Sequence, residues 1–251
     1  MLNRLLKRRG AAVPTGELEG ESPAHLDAAD RRILDRAMPY TMTGSRRLLA
    51  TIDSARYCIK REIPGAFVEC GVWRGGSVLA MILVLQEAGI DDRDLYLYDT
   101  FEGMTEPTAL DVSPIDRPAL ETWRDAVRRD EIAWPELFGS EASGESGVRE
   151  TLLSSGYPAE RIHLVKGPVE VTLPGTMPDR LALLRLDTDW YESTRHELVH
   201  LYPRLSQAGV LIVDDYGHWE GARRAVDEYF ADLPPQLLNR IDYTGRLAVK
   251  C

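Results

Sequence analysis

Two pairs of aspartates are the residues best suited to chemistry in this sequence. Asp187 and Asp189 follow one apolar run, and Asp214 and Asp215 follow another. If both runs are neighbouring parallel strands, their carboxyl ends meet at one edge of the sheet, where ligands bind. Three or four carboxylates would then converge, which is costly unless a cation joins them. Oxygen donors without soft ligands suit magnesium, calcium or manganese, whereas the alternative is that the aspartates cap two separate helices.

A glycine-rich turn over residues 71–77 follows the apolar run 66–70 and leads into a helical pattern. Glycines let the backbone approach a ligand closely, and a helix N-terminus presents free N–H groups to a carboxylate or phosphate. The spacing is not G-x-G-x-x-G, so a plain strand-to-helix turn is the alternative. Glu69 lies inside the apolar run, and a buried carboxylate needs a partner. The ammonium group of a ligand would suit it.

Asp99 lies at the end of the next apolar run, followed by Thr100 and Phe101. An acidic residue roughly 25–30 positions beyond a glycine turn is where nucleotide-type sites hold a ribose diol. Phe101 beside it is placed to cover an adenine ring. The alternative for Asp99 is a turn cap. His218, three residues after Asp215, is a second residue suited to proton transfer beside the acidic pairs.

The elements that must position these residues alternate along the chain. Buried parallel strands are predicted from nearly continuous apolar runs at 66–70, 95–98, 162–165, 181–186 and 209–213. Helices are predicted at 45–61, 77–88, around 147–155, 193–205 and 220–230, and weaker strands at 237–243 and 246–250. This alternation is typical of an α/β, doubly wound, mostly parallel sheet of seven strands, a Rossmann-like fold.

The domain organisation follows from length and composition. The chain has 251 residues, which suits one domain over residues 45–251 preceded by an N-terminal arm over residues 1–44. Residues 102–147 interrupt the alternation with four prolines, two tryptophans and a Gly/Ser/Glu tract. Connections this long usually act as lids or binding loops, so this insertion is predicted to be a lid.

Charge, hydropathy and cysteine usage exclude several classes of partner. The formal net charge is -10, from 40 acidic and 30 basic residues, and such a surface repels phosphate backbones. No stretch approaches the roughly 18 apolar residues of a membrane span. Three cysteines without metal-ligand spacing indicate a reducing compartment. A cytoplasmic protein that binds neither nucleic acid nor membrane is therefore predicted.

Seven segments in this order give the sequence a specific resemblance. They are residues 67–76, 98–103, 163–167, 184–194, 202–205, 213–216 and 225–229. Together they resemble the macrocin O-methyltransferase family, whose members methylate sugar hydroxyls on glycosylated natural products. The resemblance extends from about Tyr40 to Tyr229. Two departures leave the sugar open: the insertion does not match the macrolide enzymes, and Thr188 replaces a glycine common there.

The resemblance implies a class I methyltransferase fold, S-adenosyl-L-methionine and Mg²⁺ as cofactors, and a glycosylated small molecule as acceptor. By position, Asp187, Asp214 and Asp215 match metal ligands, and Asp189 matches a general base, with His218 as the second candidate. The predicted cofactor-binding residues are Thr41, Met42, Glu69, Gly71, Val72, Trp73, Gly76, Ser77, Asp99, Thr100, Phe101, Lys166, Gly167 and Asp187. A two-residue spacing on an extended segment would place Asp187 and Asp189 on the same side. A homo-oligomer, a dimer or larger, is also expected.

Other functions compete with this one. An O-methyltransferase of a catechol or other non-sugar diol keeps the chemistry and changes the acceptor. A nucleotide-dependent oxidoreductase would use the glycine turn for a pyrophosphate, but it does not require Glu69 or the acidic pairs. A non-catalytic sugar-binding module on a degenerate fold would have lost metal ligands, and all of them are present.

Overall fold

The structure is a computed structural model, and it describes residues 26–251. Within them one sheet has the order β3-β2-β1-β4-β5-β7-β6. Its strands are β1 (Ala66–Cys70), β2 (Leu95–Asp99), β3 (Ile162–Lys166), β4 (Leu181–Leu186), β5 (Leu205–Val213), β6 (Asn239–Arg240) and β7 (Arg246–Val249). The first five are parallel and the last two antiparallel. The predicted fold class is confirmed.

Helices cover both faces of the sheet. They are α1 (Ala28–Ala37), α2 (Ser45–Lys60), α3 (Gly76–Glu87), α4 (Ala119–Arg128), α5 (Pro135–Phe138), α6 (Glu145–Leu153), α7 (Val169–Thr172), α8 (Tyr191–Leu201) and α9 (Glu220–Phe230). Side chains of α1, α2, α3 and α6 form the core on one face, and those of α7, α8 and α9 help to form the other. Among residues 26–251, no helix combines the length and apolar character that crossing a membrane requires.

The predicted bounds of three elements are wrong at the end of the sheet. The helix predicted over 193–205 ends at Leu201, a 3₁₀ turn over Tyr202–Arg204 follows, and β5 begins at Leu205, before the predicted residue 209. Pro203 lies in this turn and has no N–H to continue the helix. Of the strand predicted over 237–243, only Asn239–Arg240 pairs, because β6 is an edge strand whose exposed side chains bury nothing.

Part of the predicted N-terminal arm belongs to the core. Asp27 caps α1 by accepting a hydrogen bond from the Asp30 backbone N–H at 2.7 Å. Ile33 and Leu34 of α1 are buried in the same core as the side chains of α2 and α3. Residues 1–25 of the arm lie outside the described residues.

The insertion, residues 102–147, is anchored beside both acidic pairs. Asp111 is fully buried, and its Oδ1 accepts a hydrogen bond from the Tyr191 backbone N–H at 2.7 Å. The backbone N–H of Glu220 donates to the Val112 carbonyl at 2.9 Å. Since Tyr191 and Glu220 begin α8 and α9, the insertion docks on the two helices that follow the acidic pairs.

Candidate active site

A cavity of about 320 Å³ opens at the carboxyl ends of β1, β2, β4 and β5. Eleven of the predicted site residues line it: Met42, Gly71, Trp73, Asp99, Thr100, Gly167, Asp187, Asp189, Asp214, Asp215 and His218. The sheet therefore brings both acidic pairs, the glycine turn and the end of β2 to one pocket, as ligand sites of open α/β sheets require.

The other seven predicted residues lie outside the lining of the cavity: Thr41, Glu69, Val72, Gly76, Ser77, Phe101 and Lys166. Phe101 is buried in the core rather than presented to a ligand. Lys166 forms a salt bridge with Glu102 at 2.6 Å. Val72 and Ser77 are buried within the turn and the first turn of α3.

Close contacts in the glycine turn determine which residues can occupy it. Gly71 has φ +81, and a Cβ there would come within 1.9 Å of the Asp187 carbonyl oxygen, so only glycine fits. Asp99 organises the same turn by accepting hydrogen bonds from the backbone N–H groups of Val72 at 2.7 Å and Trp73 at 3.0 Å. Burial raises the pKa of Asp99, although these hydrogen bonds oppose the shift.

Residues 40–43 cross over the N-terminus of α3. A Cβ on Gly76 would come within 2.6 Å of the Tyr40 backbone, so this crossing also depends on glycine. Beyond it, Thr43 donates a hydrogen bond from its Oγ1 to Asp214 Oδ2 at 2.9 Å, and Met42 lines the cavity. The segment before α2 therefore contributes one wall of the site.

Glu69 has a protein partner, which the sequence analysis did not identify. Arg185 Nη1 donates to Glu69 Oε1 at 2.5 Å and to Asp187 Oδ2 at 2.6 Å, and Nη2 contacts Asp214. Arg185 and Glu69 are both 1% exposed. The prediction that Glu69 pairs with the ammonium group of a ligand is therefore wrong for Oε1. That oxygen is already paired with the guanidinium of Arg185 on the neighbouring strand.

The signal for Arg185 was in the sequence. Arg185 and Glu69 are single charges of opposite sign within two otherwise apolar strands. They stand directly opposite each other in the register of β1 and β4. A buried charge requires a partner, so two such charges on adjacent strands indicate a pair.

Arg47 of α2 adds a second guanidinium, which no sequence pattern predicted. It contacts Asp214, and its Nε lies 3.0 Å from Asp242 Oδ2. Arg47 also lines the cavity. Asp214 is thus held between two arginines, which fixes its orientation at the end of β5.

The acidic cluster fits a hard divalent cation. Asp187, Asp214 and Asp215 each offer an oxygen, and these atoms all lie within 4.8 Å of one another. Asp215 Oδ2 is buried and has no hydrogen-bond partner among the described residues. Burial, together with the charges of Asp189 and Asp187, raises the pKa of Asp215 well above its usual value. An all-oxygen set with an unpartnered buried carboxylate oxygen is the donor chemistry that magnesium, calcium or manganese requires.

Asp189 is the acidic residue best placed to accept a proton. Its φ of +68 is left-handed rather than the extended conformation that was predicted, yet Asp187 and Asp189 both line the cavity. Burial and the nearby charge of Asp187 raise the pKa of Asp189 to about 7. A general base works best when its pKa is near the working pH.

His218 is less available than Asp189. Its Nε2 lies 2.8 Å from Asp116 Oδ2 of the insertion, and its Nδ1 lies 3.2 Å from the Tyr243 hydroxyl. Both ring nitrogens are therefore already engaged. These contacts join the insertion to the turn after β5 and to the residues before β7.

Glu197 of α8 supports the loop that carries Asp187 and Asp189, although no sequence signal singled it out. Its side chain is fully buried, and its Oε1 accepts a hydrogen bond from Thr188 Oγ1 at 2.9 Å. Burial raises the pKa of Glu197 well above its usual value. The buried Glu197 side chain beneath the loop therefore fixes the position of Thr188.

Replacing Glu197 with glutamine is expected to remove a pH dependence of stability. The folded-state pKa is raised, so the stability contributed by the protonated group is fully present below the unfolded pKa of about 4.3. It is lost as pH rises through the folded pKa, at up to about 1.4 kcal/mol per pH unit. Urea unfolding of both proteins between about pH 5 and 8 measures this. The variant should gain stability relative to the wild type as pH rises, and a constant difference would contradict the assignment.

Comparison with known proteins identifies close relatives. The family model described as macrocin-O-methyltransferase (TylF) matches residues 18–248. The 8-demethyl-8-(2,3-dimethoxy-alpha-L-rhamnosyl)-tetracenomycin-C 4'-O-methyltransferase of Streptomyces olivaceus is 36% identical over 88% of this chain and 78% of its own. The demethyldecarbamoylnovobiocin O-methyltransferase of Streptomyces niveus is 33% identical over 83% and 75%. The solved structure of the O-methyltransferase NovP is 32% identical, with TM-score 0.70 over 84% of this chain and 82% of that one.

Proposed function

This chain belongs to the macrocin O-methyltransferase family, and on that premise we propose that it methylates a sugar hydroxyl of a glycosylated small molecule in a Mg²⁺-dependent reaction. Membership makes it an S-adenosylmethionine-dependent O-methyltransferase. The observation that carries the proposal is the convergence of Asp187, Asp214 and Asp215 beside Asp189 in a cavity that also contains the glycine turn.

The chemistry assigns separate roles to the acidic residues. When bound, S-adenosylmethionine provides an electrophilic methyl group, and a divalent cation lowers the pKa of a hydroxyl that it contacts. Asp187, Asp214 and Asp215 would hold the cation. Asp189 takes the proton from the acceptor hydroxyl, whose unassisted pKa is too far above 7 for efficient attack. Holding the acceptor oxygen in line with the methyl group is the remaining contribution of the cavity.

The residues that would hold the cofactor lie at the ends of β1 and β2. Gly71 and Trp73 line the cavity on one side, and Asp99 and Thr100 line it at the end of β2. The two oxygens of Asp99 accept three backbone hydrogen bonds and a longer one from Thr100 Oγ1 at 3.5 Å, so a ribose diol would take the place of the Thr100 contact at Oδ1. Met42 covers the cavity from the segment before α2.

The acceptor lies, in this proposal, between the acidic cluster and the insertion. Met104, Trp134, Leu137 and Phe138 of the insertion line the cavity, as do Trp190, Trp219 and Tyr243. Trp134 packs against Trp190 with ring centroids 5.9 Å apart. Aromatic and aliphatic walls with a few polar groups are typical of small-molecule sites. A relative acts, by its name, on a rhamnosyl tetracenomycin. A deoxysugar of rhamnose type on an antibiotic aglycone is therefore the proposed acceptor class, with the insertion as the lid that selects it.

To test this function, methyl transfer by the purified protein is measured with defined acceptors. S-adenosylmethionine with an isotopically labelled methyl group is mixed with rhamnosylated aglycones, the matching free aglycones and simple catechols, with and without chelator. Mass spectrometry should locate the label on the sugar, in the glycosylated samples only, and only without chelator. Labelled catechol with unlabelled glycosides would favour the non-sugar alternative, and label transfer in chelator would exclude the cation.

Asp99→Ala is expected to weaken S-adenosylmethionine binding by about 1–3 kcal/mol, because charged hydrogen bonds to the ribose and to the turn are lost. Asp94→Ala is the matched control. It removes a carboxylate just before β2, where Asp94 pairs with His163 at 2.9 Å, away from the cavity. Calorimetry should show weaker binding only for Asp99→Ala. Equal affinities in the two variants would contradict the assigned role of Asp99.

A further inference from the structure

The base proposed above needs a contact that fixes its carboxylate. Asp189 lies in the short connection between β4 and α8, with φ +68 in a region that non-glycine residues rarely adopt. A carboxylate on such a loop rotates readily unless a neighbour holds it. Proton transfer requires the accepting oxygen within hydrogen-bond distance of the acceptor hydroxyl, so its orientation bears directly on turnover.

Trp219 supplies that contact from the neighbouring loop. Its indole Nε1–H donates a hydrogen bond to Asp189 Oδ1 at 2.8 Å. An indole N–H is a donor only and can neither accept a proton nor release one near neutral pH. It therefore orients the carboxylate through Oδ1 without competing for the transferred proton.

The ring of Trp219 is itself rigidly placed. Its backbone N–H donates to the Asp215 carbonyl at 3.0 Å, so it belongs to the same turn as a proposed metal ligand. Its ring packs edge-to-face on Trp190 with centroids 5.0 Å apart, and the residue is only 9% exposed. Trp190 in turn donates from Nε1 to the Thr105 carbonyl of the insertion at 3.1 Å. The donor is thus held by packing and backbone contacts independent of Asp189.

We propose that Trp219 is a positioning residue for the reaction: its indole N–H holds Oδ1 of Asp189, so that the carboxylate faces the hydroxyl to be methylated. The inference rests on the proposed function, since it requires Asp189 to act as the base. Because Trp219 and Asp215 share one turn, the contact of Trp219 with Asp189 also fixes the position of the base relative to the proposed cation site.

The kinetic test compares Trp219→Phe with the wild type. Phenylalanine keeps an aromatic ring against Trp190 and removes the N–H, so kcat should fall about tenfold to hundredfold, as expected when a reacting group is misplaced. KM for the acceptor and the affinities for S-adenosylmethionine and Mn²⁺ should change much less. An unchanged kcat would overturn the proposal. If Trp219→Phe does not fold, a benzothienylalanine at the same position keeps the ring shape without the donor.

A double-mutant cycle separates positioning from general structural support. Once Asp189→Asn has removed the base, Trp219→Phe should lower the remaining turnover by no more than about twofold, because there is no base left to orient. Equal losses in the two backgrounds would show that Trp219 acts independently of Asp189, and that result would overturn the inference.

NMR spectroscopy tests the hydrogen bond between Trp219 and Asp189 without relying on activity. The protein contains five tryptophans, so ¹⁵N-tryptophan labelling gives few indole signals, and the one missing in Trp219→Phe is that of Trp219. That signal should shift in Asp189→Asn, and an unshifted signal would contradict the hydrogen bond.

A wild type that methylates no glycoside would contradict both the proposed function and this inference. An active wild type with an equally active Trp219→Phe would end the inference alone.

Discussion

Asp215→Asn is expected to abolish methyl transfer while leaving S-adenosylmethionine binding and folding intact. The substitution removes a cation ligand whose Oδ2 is buried without a partner among the described residues. It also relieves the repulsion from Asp187 and Asp189, so the melting temperature should stay the same or rise. Activity assays, calorimetry with S-adenosylmethionine and Mn²⁺ titration measure the three properties. Chelator should silence the wild type, and added Mg²⁺ should restore it.

Two comparison variants sharpen this test. Asp227→Asn makes the same change on an exposed face of α9 and should retain full activity and Mn²⁺ affinity. Asp214→Ala is a poor probe, since Asp214 pairs with both Arg47 and Arg185. Its loss removes one carboxylate partner from each guanidinium, although Arg185 keeps Glu69 and Asp187 and Arg47 keeps Asp242. A loss of activity in this variant would therefore not separate cation binding from the altered ion-pair network. Full wild-type activity in chelator would refute the cation mechanism and leave the fold and the cofactor in place.

Asp189→Asn is expected to lower turnover by about 10²–10⁴-fold, the usual contribution of a general base. The affinities for S-adenosylmethionine and Mn²⁺ should be retained, because asparagine has nearly the same shape and Asp189 is not one of the three clustered ligands. The remaining activity should rise with pH, since hydroxide partly replaces the missing base. Initial rates at saturating cofactor and Mg²⁺ across a pH series give this result.

His218→Ala is the matched comparison for the base. Both ring nitrogens of His218 already lie within hydrogen-bond distance of Asp116 and Tyr243. Turnover should therefore fall less in His218→Ala than in Asp189→Asn. The opposite order would assign proton transfer to the histidine.

The sequence was sufficient for the fold and for the acidic cluster. Nearly continuous apolar runs are unusual outside buried parallel strands, so five strands were located correctly, apart from the early start of β5. Asp187, Asp214 and Asp215 were expected to converge because the carboxyl ends of parallel strands share one edge. The structure places their oxygens within 4.8 Å. This inference needs the direction of the strands, which follows from the βα alternation, and their adjacency, which the structure provides for β4 and β5.

Which charged residues pair across neighbouring strands depends on the register of the sheet, and the local sequence pattern does not specify that register. Glu69 called for a positive partner, but the sequence does not state whether a ligand or a neighbouring strand provides it. Because Glu69 of β1 lies opposite Arg185 of β4, the positive partner is a residue of the protein rather than a ligand. The same alignment placed the guanidinium against Asp187 and Asp214. A shift of one residue would have turned these side chains to the other face.

Contacts between distant loops were decided by the tertiary structure alone. Phe101 entered the core instead of the cavity, and His218 was engaged by the insertion. Trp219 came to donate to Asp189, although the two residues lie 30 positions apart. Loop side chains have no periodicity, so their orientation depends on which surfaces dock against them. Sequence alone thus indicated which elements and which carboxylates meet at the edge of the sheet. Long-range packing determined which arginines pair with those carboxylates and how each side chain is oriented there.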